Sequence, residues 1–340
     1  MVVGTVKAEA TGKSDLSKEQ IDTLPVADTN IEALIKLMPG VQISDKANTS
    51  FRGGEISPPL ISISGGRPYD NNFLIDGMSN NSLLDPGSDI AANSPGDVPG
   101  HPQEIFLSTH LVANLEVYNN NIPARFGDFA GGVVNVETID PTSAFEGSIR
   151  YRTTRASWTE FHIDQSDQLA FTNSFTETKQ PRFEKQDVGF DLSLPVTEKI
   201  GFLISYSLLY SEIPLQHFGQ TENQTRSSEN VLVKYVNKLS ENRKLTVQGL
   251  YNPYEGEYFI DRTKDSRFTL QGGGSQVGVE YEHLFSEGHL LINSGLSFSE
   301  NSRKAPQHHR NWDNTASKLS LIHISEPTRP PVASRMPSSA

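Results

Sequence analysis

Apolar and polar residues alternate one for one through the second half of the chain, in runs that pair across tight polar turns. Val188, Phe190, Leu192, Leu194 and Val196 interleave with Gly189, Asp191 and Ser193, then pass through Thr197-Glu198-Lys199. The chain returns as Phe202, Ile204, Tyr206, Leu208 and Tyr210, interleaved with serines. A period of two over about ten residues marks a strand with one apolar and one polar face. About ten residues is also what a tilted strand needs to cross a bilayer.

The same hairpin recurs twice. Val231, Val233 and Tyr235 lead into Ser240-Glu241-Asn242 and return as Leu245, Val247 and Tyr251; Val277, Val279, Tyr281 and Phe285 lead into Ser286-Glu287-Gly288 and return as Leu290, Ile292, Leu296 and Phe298. With Ile149-Tyr151-Thr153 at the front, this predicts seven strands. Tight turns are expected near 197–200, 240–243 and 286–289, and long polar loops near 157–184, 212–229, 253–273 and beyond 300. Short turns on one side and long loops on the other are the habit of transmembrane barrels. Tyr151, Tyr210, Tyr251 and Phe298 fall toward the loop ends, where an aromatic girdle lies. A soluble antiparallel sandwich also alternates, but its strands average about five or six residues.

The first 140 residues follow another rhythm. Ile31, Leu34, Ile35 and Met38 share one face of a helix expected over 30–38, capped by Thr29 and ended by Pro39-Gly40. Short strand-like runs follow at Val41-Gln42-Ile43, Leu60 to Ser64, Phe73-Leu74-Ile75, Leu115 to Tyr118 and Val133 to Val136. Glycine turns separate them, and Asp76-Gly77 is a strong hairpin signal. This is a small α+β unit.

Composition narrows the class. Only 35% of the 340 residues are hydrophobic, and no stretch approaches the ~18 apolar residues of a spanning helix; barrel strands escape such scans because every second residue is polar. A net charge of −12 argues against a nucleic-acid partner. The absence of cysteine excludes disulfides and thiolate metal sites. Met1 to Thr5 lacks the basic start and apolar core of a signal peptide.

The ordered fragments of the first unit resemble the plug domain of TonB-dependent outer-membrane receptors. They are Leu24-Pro25, Met38-Pro39-Gly40-Val41, Arg52-Gly53-Gly54, Leu74-Ile75-Asp76-Gly77, Leu115-Glu116-Val117, Arg125-Phe126-Gly127 and Gly131-Gly132-Val133-Val134-Asn135-Val136. Two departures stand out. The Arg-Gly-Pro that many members carry after the Glu-Val strand is replaced by Tyr118 to Pro123, and the Pro/Gly/Asp-rich stretch 85–103 is long. The resemblance implies an α+β plug domain followed by the first strands of a large antiparallel transmembrane β-barrel of roughly 22 strands.

The expected organisation is an N-terminal segment (1–20), a plug (21–140), the N-terminal portion of the barrel (145–318) and a tail (319–340). The tail resembles a sequencing-adapter reading frame and is read as non-native. Seven strands leave two unpaired edges that lipid cannot satisfy, so the reading expects further strands and an upstream leader.

The function implied by the resemblance is energised uptake of a scarce ligand of the siderophore, cobalamin, oligosaccharide or peptide class. It would take place in the outer membrane of a Gram-negative bacterium, with TonB, outer-membrane lipid and an extracellular ligand as partners. The alternative is a passive or structural barrel, such as an adhesin or assembly component. Candidate ligand contacts are Arg52, Gly53 and Gly54. The candidate energy-coupling segment is Val2, Val3, Gly4, Thr5 and Val6, which reads equally as a first plug strand.

No hydrolase, P-loop or zinc-protease motif is present, and no enzyme activity, cofactor or metal is expected. His101, His110, His217 and His308-His309 lack helical ligand spacing and read as loop histidines. Glu280 and Glu282 share the inward face of a strand, lining a wet lumen or meeting plug arginines. Arg52, Arg67 and Arg125 against Glu104, Glu116 and Glu137 are candidates for holding the plug together or to the wall, or for simple surface pairing.

Overall fold

A computed structural model describes residues 12–26, 28–44, 47, 49–88, 98–261 and 263–305, with the backbone alone at 310–311. Val2 to Val6, His308-His309 and 319–340 lie outside the described residues.

The first unit is built on a five-stranded sheet. Its strands are β1 (Lys13–Ser17), β4 (Asn72–Ile75), β5 (Met78–Ser79), β6 (Val112–Tyr118) and β7 (Val133–Thr138), in the order β1-β6-β7-β4-β5. All pairs are antiparallel except β4 with β7. A separate pair, β2 (Val41–Ile43) and β3 (Ile61–Ile63), lies beside it. Val134 and Val136 of β7 and Leu115 and Val117 of β6 are fully buried. They meet the apolar faces of α1 (Lys18–Thr23) and α2 (Glu32–Ile35) in one core. Asp76 and Gly77 have φ of 47° and 75°, the double left-handed turn that the Asp-Gly pair foretold.

The helix expected over 30–38 shortens to one α turn, and its cap shifts by one residue. Asn30 Oδ1, not Thr29, accepts the Ala33 N–H at 3.0 Å. Beyond Ile35 the backbone closes three-residue bonds, Leu37 N–H to Leu34 at 3.0 Å and Met38 N–H to Ile35 at 2.9 Å. Pro39 accounts for this, because its ring disfavours helical geometry at the residue before it.

The second unit is a seven-stranded meander. Its strands are β8 (Glu146–Arg155), β9 (Glu184–Pro195), β10 (Ile200–His217), β11 (Gln220–Ser240), β12 (Arg243–Tyr258), β14 (Phe268–Phe285) and β15 (Gly288–Lys304). Two-residue β13 (Thr263–Lys264) pairs with β16 (Arg310–Asn311) to one side. Register carries the outward apolar band across the whole wall. Ile149, Phe190, Tyr206, Val231, Tyr251, Ser275 and Phe298 are successive cross-strand partners. Neighbouring rows add Ile204, Val233 and Val277, and Ile149, Tyr251 and Phe298 are each more than half exposed. The inward parity is buried and mixed: Ser205, Asn230, Lys234 and Gln276 alternate with Leu203, Leu232 and Leu250, which join the core of the first unit. Among the described residues no helix is long and apolar enough to cross a membrane.

The three tight turns fall where expected, but the intervening segments differ. Residues 212–229, expected to be a loop, continue β10 and β11 and close in a two-residue turn at Phe218 and Gly219, with φ of 50° and 75°. Likewise β12 runs on to Tyr258 and β14 starts at Phe268. A strand of 21 residues, such as β11, is about twice what the bilayer requires, so its upper half stands in water. The outward face turns polar there while the inward face stays buried, with Ile213, Leu215 and Arg226, so the hydrogen-bond ladder continues after the outward apolar row stops.

Candidate functional site

The two units meet at opposite ends of the wall in different ways. At the tight-turn end, the segment leaving β7 is strapped down by charge. Lys234, 3% exposed, donates to the Thr138 carbonyl at 3.0 Å and to Asp140 Oδ1 at 3.2 Å, with Asp76 Oδ1 at 3.8 Å. Lys244 reaches the second Asp140 oxygen at 2.8 Å. The β4–β5 tip is held by Asn293, which donates to the Asp76 carbonyl at 2.8 Å, and Gln276, which donates to that of Ser79 at 2.7 Å.

At the loop end, three remote parts of the chain converge on the Arg52 turn. Ser50–Arg52 form a short 3-10 turn leading into Gly53 and Gly54. The loop 156–183 folds down over it, placing Phe171 against Phe51 and Phe161. Gln180 closes the clamp twice. Its side-chain oxygen accepts the Gly54 N–H at 2.7 Å, and its own N–H donates to the Phe51 carbonyl at 2.7 Å. Ser211 of β10 donates to the Gly54 carbonyl at 2.5 Å. A Cβ at Gly54 would lie 2.7 Å from Ile213 Cγ1, and one at Gly53 2.5 Å from the Phe183 ring. The two glycines are therefore points of close packing, while Arg52 lines open space.

That space is a cavity of about 450 Å³ between the first unit and the wall. Arg52, Glu55, His101, Phe106, Glu177 and Tyr254 are among the residues around it. Behind it lies Arg226, fully buried, with its guanidinium 3.5 Å over the Tyr258 ring. It donates to the Thr225 and Glu257 carbonyls at 2.9 and 2.8 Å and to Gln224 Oε1 at 2.9 Å.

Glu55 Oε2 stands 3.9 Å from Arg226 Nε and 3.6 Å from Arg52. Its other oxygen accepts the Ile56 and Ser57 N–H groups. Burial alone would raise the Glu55 carboxyl; the two guanidiniums and those N–H groups overcome it and hold the group below the usual carboxylate range. Arg226 and Arg52 also pull on Glu177, but they do not outweigh its burial. Burial, then the charge of Glu55, pushes its carboxyl upward, and its Oε2 has no hydrogen-bond partner.

Sequence reasoning reached Arg52 but not Glu177, Arg226, Tyr254 or Tyr258. Parity offered a signal for Arg226: Val231, Val233 and Tyr235 face lipid, so the even positions of β11 face inward. The expected arginine–glutamate pairs are not formed among the described residues. Glu116 pairs with Lys13 at 2.6 Å, Arg67 donates to the Tyr69 hydroxyl at 2.6 Å, and Arg125 lies over the Phe126 ring. A plug strand is a better source of a cation for Glu116 than a distant turn, because β1 places Lys13 two positions from its register partner. Glu282 meets His289 at 3.2 Å across the β14–β15 ladder. The histidines stay apart: His110 faces Asp187 at 3.4 Å and His217 faces Glu222 at 3.0 Å, while His101 sits between the Pro58 and Gln103 carbonyls.

A glycine-turned α+β unit strapped inside a lipid-facing meander defines a plugged outer-membrane barrel protein. Residues 6–134 match the family model of the TonB-dependent Receptor Plug Domain, and the chain is similar to TonB-dependent receptors of the Gram-negative outer membrane. It is 31% identical over 216 residues to the uncharacterized protein YddB of Escherichia coli K12, covering 62% of this chain and 27% of that one. It is 28% identical over 208 residues to the ferric enterobactin receptor PirA of Pseudomonas aeruginosa, covering 59% and 24%. In fold it is similar to the outer membrane transporter YddB, with a TM-score of 0.78, 23% identity, and 87% of this chain against 40% of that one. The siderophore receptor PirA of Acinetobacter baumannii gives a TM-score of 0.57 at 17% identity, covering 85% and 40%. The chain thus spans about a quarter of the length of the curated relatives it matches.

Proposed function

We propose that the chain is the plug and first barrel strands of a receptor that takes up a scarce extracellular ligand at the expense of inner-membrane energy. In this reading 1–20 carries the coupling segment ahead of the plug's edge strand β1, 21–140 is the rest of the plug, 145–318 barrel and 319–340 a foreign tail. Ligand enters from the loop side and contacts Arg52 at the plug apex, with Gly53 and Gly54 letting the turn press against the wall. TonB pairs with Val2 to Val6 and pulls.

The observation that carries the proposal is the cavity of about 450 Å³ at the apex, roofed by an outer loop and floored by the plug. The edge position of β1 supports it as well. That strand is hydrogen-bonded to β6 alone and is the described strand nearest the coupling segment, so tension reaches it before the rest of the sheet. The Asp140–Lys234 strap lies at the other end of the plug sequence and would hold the remainder in place.

The test is radioiron and radiolabelled cobalamin accumulation by cells carrying the full-length receptor in an outer membrane stripped of its other receptors. Accumulation that disappears with TonB, and on deletion of residues 2–6, supports the proposal. Accumulation indifferent to both identifies a passive barrel.

A further inference from the structure

The apical cavity has a charge pattern that its relatives' names do not suggest. Its carboxylates are Asp28, Glu55, Glu104, Glu177 and Glu300, against Lys36 and Arg52. Lys185 bonds to Asp28 at 2.6 Å, and Arg226 and Arg52 serve Glu55. Lys36 is exposed at the rim. Among the described residues the lining is therefore left with carboxylates in excess, and its one uncommitted ammonium, that of Lys36, is exposed to solvent.

One of those carboxylates is built to receive a charge. Glu177 is 6% exposed, lines the cavity, and its Oε2 has no partner. A buried acceptor left unpaired is destabilising unless something satisfies it. Glu177 also sits on the clamp: Gln180, which holds the Gly54 N–H, donates its other side-chain group to the Glu177 carbonyl at 2.8 Å. Arg226 cannot swing in as a partner, since three hydrogen bonds and the Tyr258 ring fix it.

We propose that this cavity selects a ligand carrying a primary ammonium or guanidinium group, that the cation docks on Glu177 Oε2, and that a polyanionic ferric catecholate is rejected. The proposal rests on the uptake reading above and names its ligand chemistry. Tyr254 and Phe106, edge to face with ring centroids 5.7 Å apart, supply an apolar flank to the same cavity. A ligand bound there touches the outer loop and, through Gln180, the plug turn at Gly54. Binding and plug contact are thereby joined in one short chain of hydrogen bonds.

The test is equilibrium binding to the full-length receptor in detergent, read by intrinsic fluorescence quenching. Three iron complexes serve as probes: a linear ferric trihydroxamate with a free primary ammonium, the same complex N-acetylated, and a ferric tris-catecholate trianion. The ammonium form is expected to bind at least tenfold more tightly than the acetylated form. Glu177→Gln should bring the ammonium and acetylated forms to equal affinity, with circular dichroism like that of the native receptor showing that the variant is folded. Glu177→Lys should move the preference toward the trianion.

Tighter binding of the trianion by the native receptor, equal binding of the two hydroxamates, or no binding of the ammonium form overturns the assignment. TonB-dependent accumulation of iron or cobalamin in the cellular assay would leave the uptake reading standing in any of those cases.

Discussion

Glu32 and His101 meet across Gln103, and their titrations oppose each other. Glu32, 1% exposed, accepts from the Gln103 side chain through Oε1, and its Oε2 has no partner. Burial raises its carboxyl from 4.5 to about 7, against the pull of Gln103. Its stabilising contribution is complete below pH 4.5 and is lost as pH rises to about 7. At ~1.36 kcal/mol per pH unit, that loss is about 3 kcal/mol.

His101 shifts the other way. Burial lowers its ring from 6.5 to about 4, so its contribution is complete above pH 6.5 and lost as pH falls toward 4. The ring is partly exposed, which makes its contribution the smaller of the two. Between pH 4.5 and 6.5 the two slopes partly cancel in the native protein.

Substitution separates them. His101→Gln leaves Glu32 alone, and the amides of Ala33, Leu34, Ile35 and Lys36 should lose protection as pH rises, by about two powers of ten. Glu32→Gln leaves His101 alone, and the same amides should lose protection as pH falls. The assay is hydrogen exchange on the full-length receptor, corrected for the intrinsic pH dependence of exchange. A flat profile in His101→Gln, or a parental profile in Glu32→Gln, refutes the reasoning.

The other expectations concern the plug–wall seam and the lipid face. Lys234→Met orphans the Thr138 carbonyl and strips Asp140 of one cation; with Lys244 still in place, a loss of about 2 kcal/mol is expected, read as faster exchange along β7. Gly54→Val drives side-chain atoms into Ile213 and Phe183, and overpacking of this kind costs about 1–3 kcal/mol. Protease nicking of the loop 156–183 should rise accordingly, and an unchanged nicking rate would show that the turn is not clamped. Ile204→Arg places a charge on the lipid-facing row, where a midplane cation costs about 2–4 kcal/mol, measured by folding titrations into bilayers. The adjacent Ser205→Arg points inward and should instead disturb the plug.

Much of the architecture is written in the chain itself. Strand number, the inward and outward parity of each strand, the three tight turns and the Asp76-Gly77 hairpin are all local properties. They follow from which faces meet lipid and which backbone angles each residue tolerates. Tertiary structure decided three things that local patterning does not encode. The first is strand length: the outward apolar row records contact with lipid, and it ends above the bilayer although the β10–β11 ladder runs on to His217. The second is the helix at α2, cut to one turn where Pro39 and the sheet beneath it set the geometry.

The third is the site. Arg52 and Glu55 come from a plug turn, Glu177 from an outer loop and Arg226 from the wall, and nothing in the spacing of these residues along the chain relates them. They become neighbours only because the plug lies against the inner face of the wall, where a long-range fold brings together charges that each sequence segment, read alone, would leave in water.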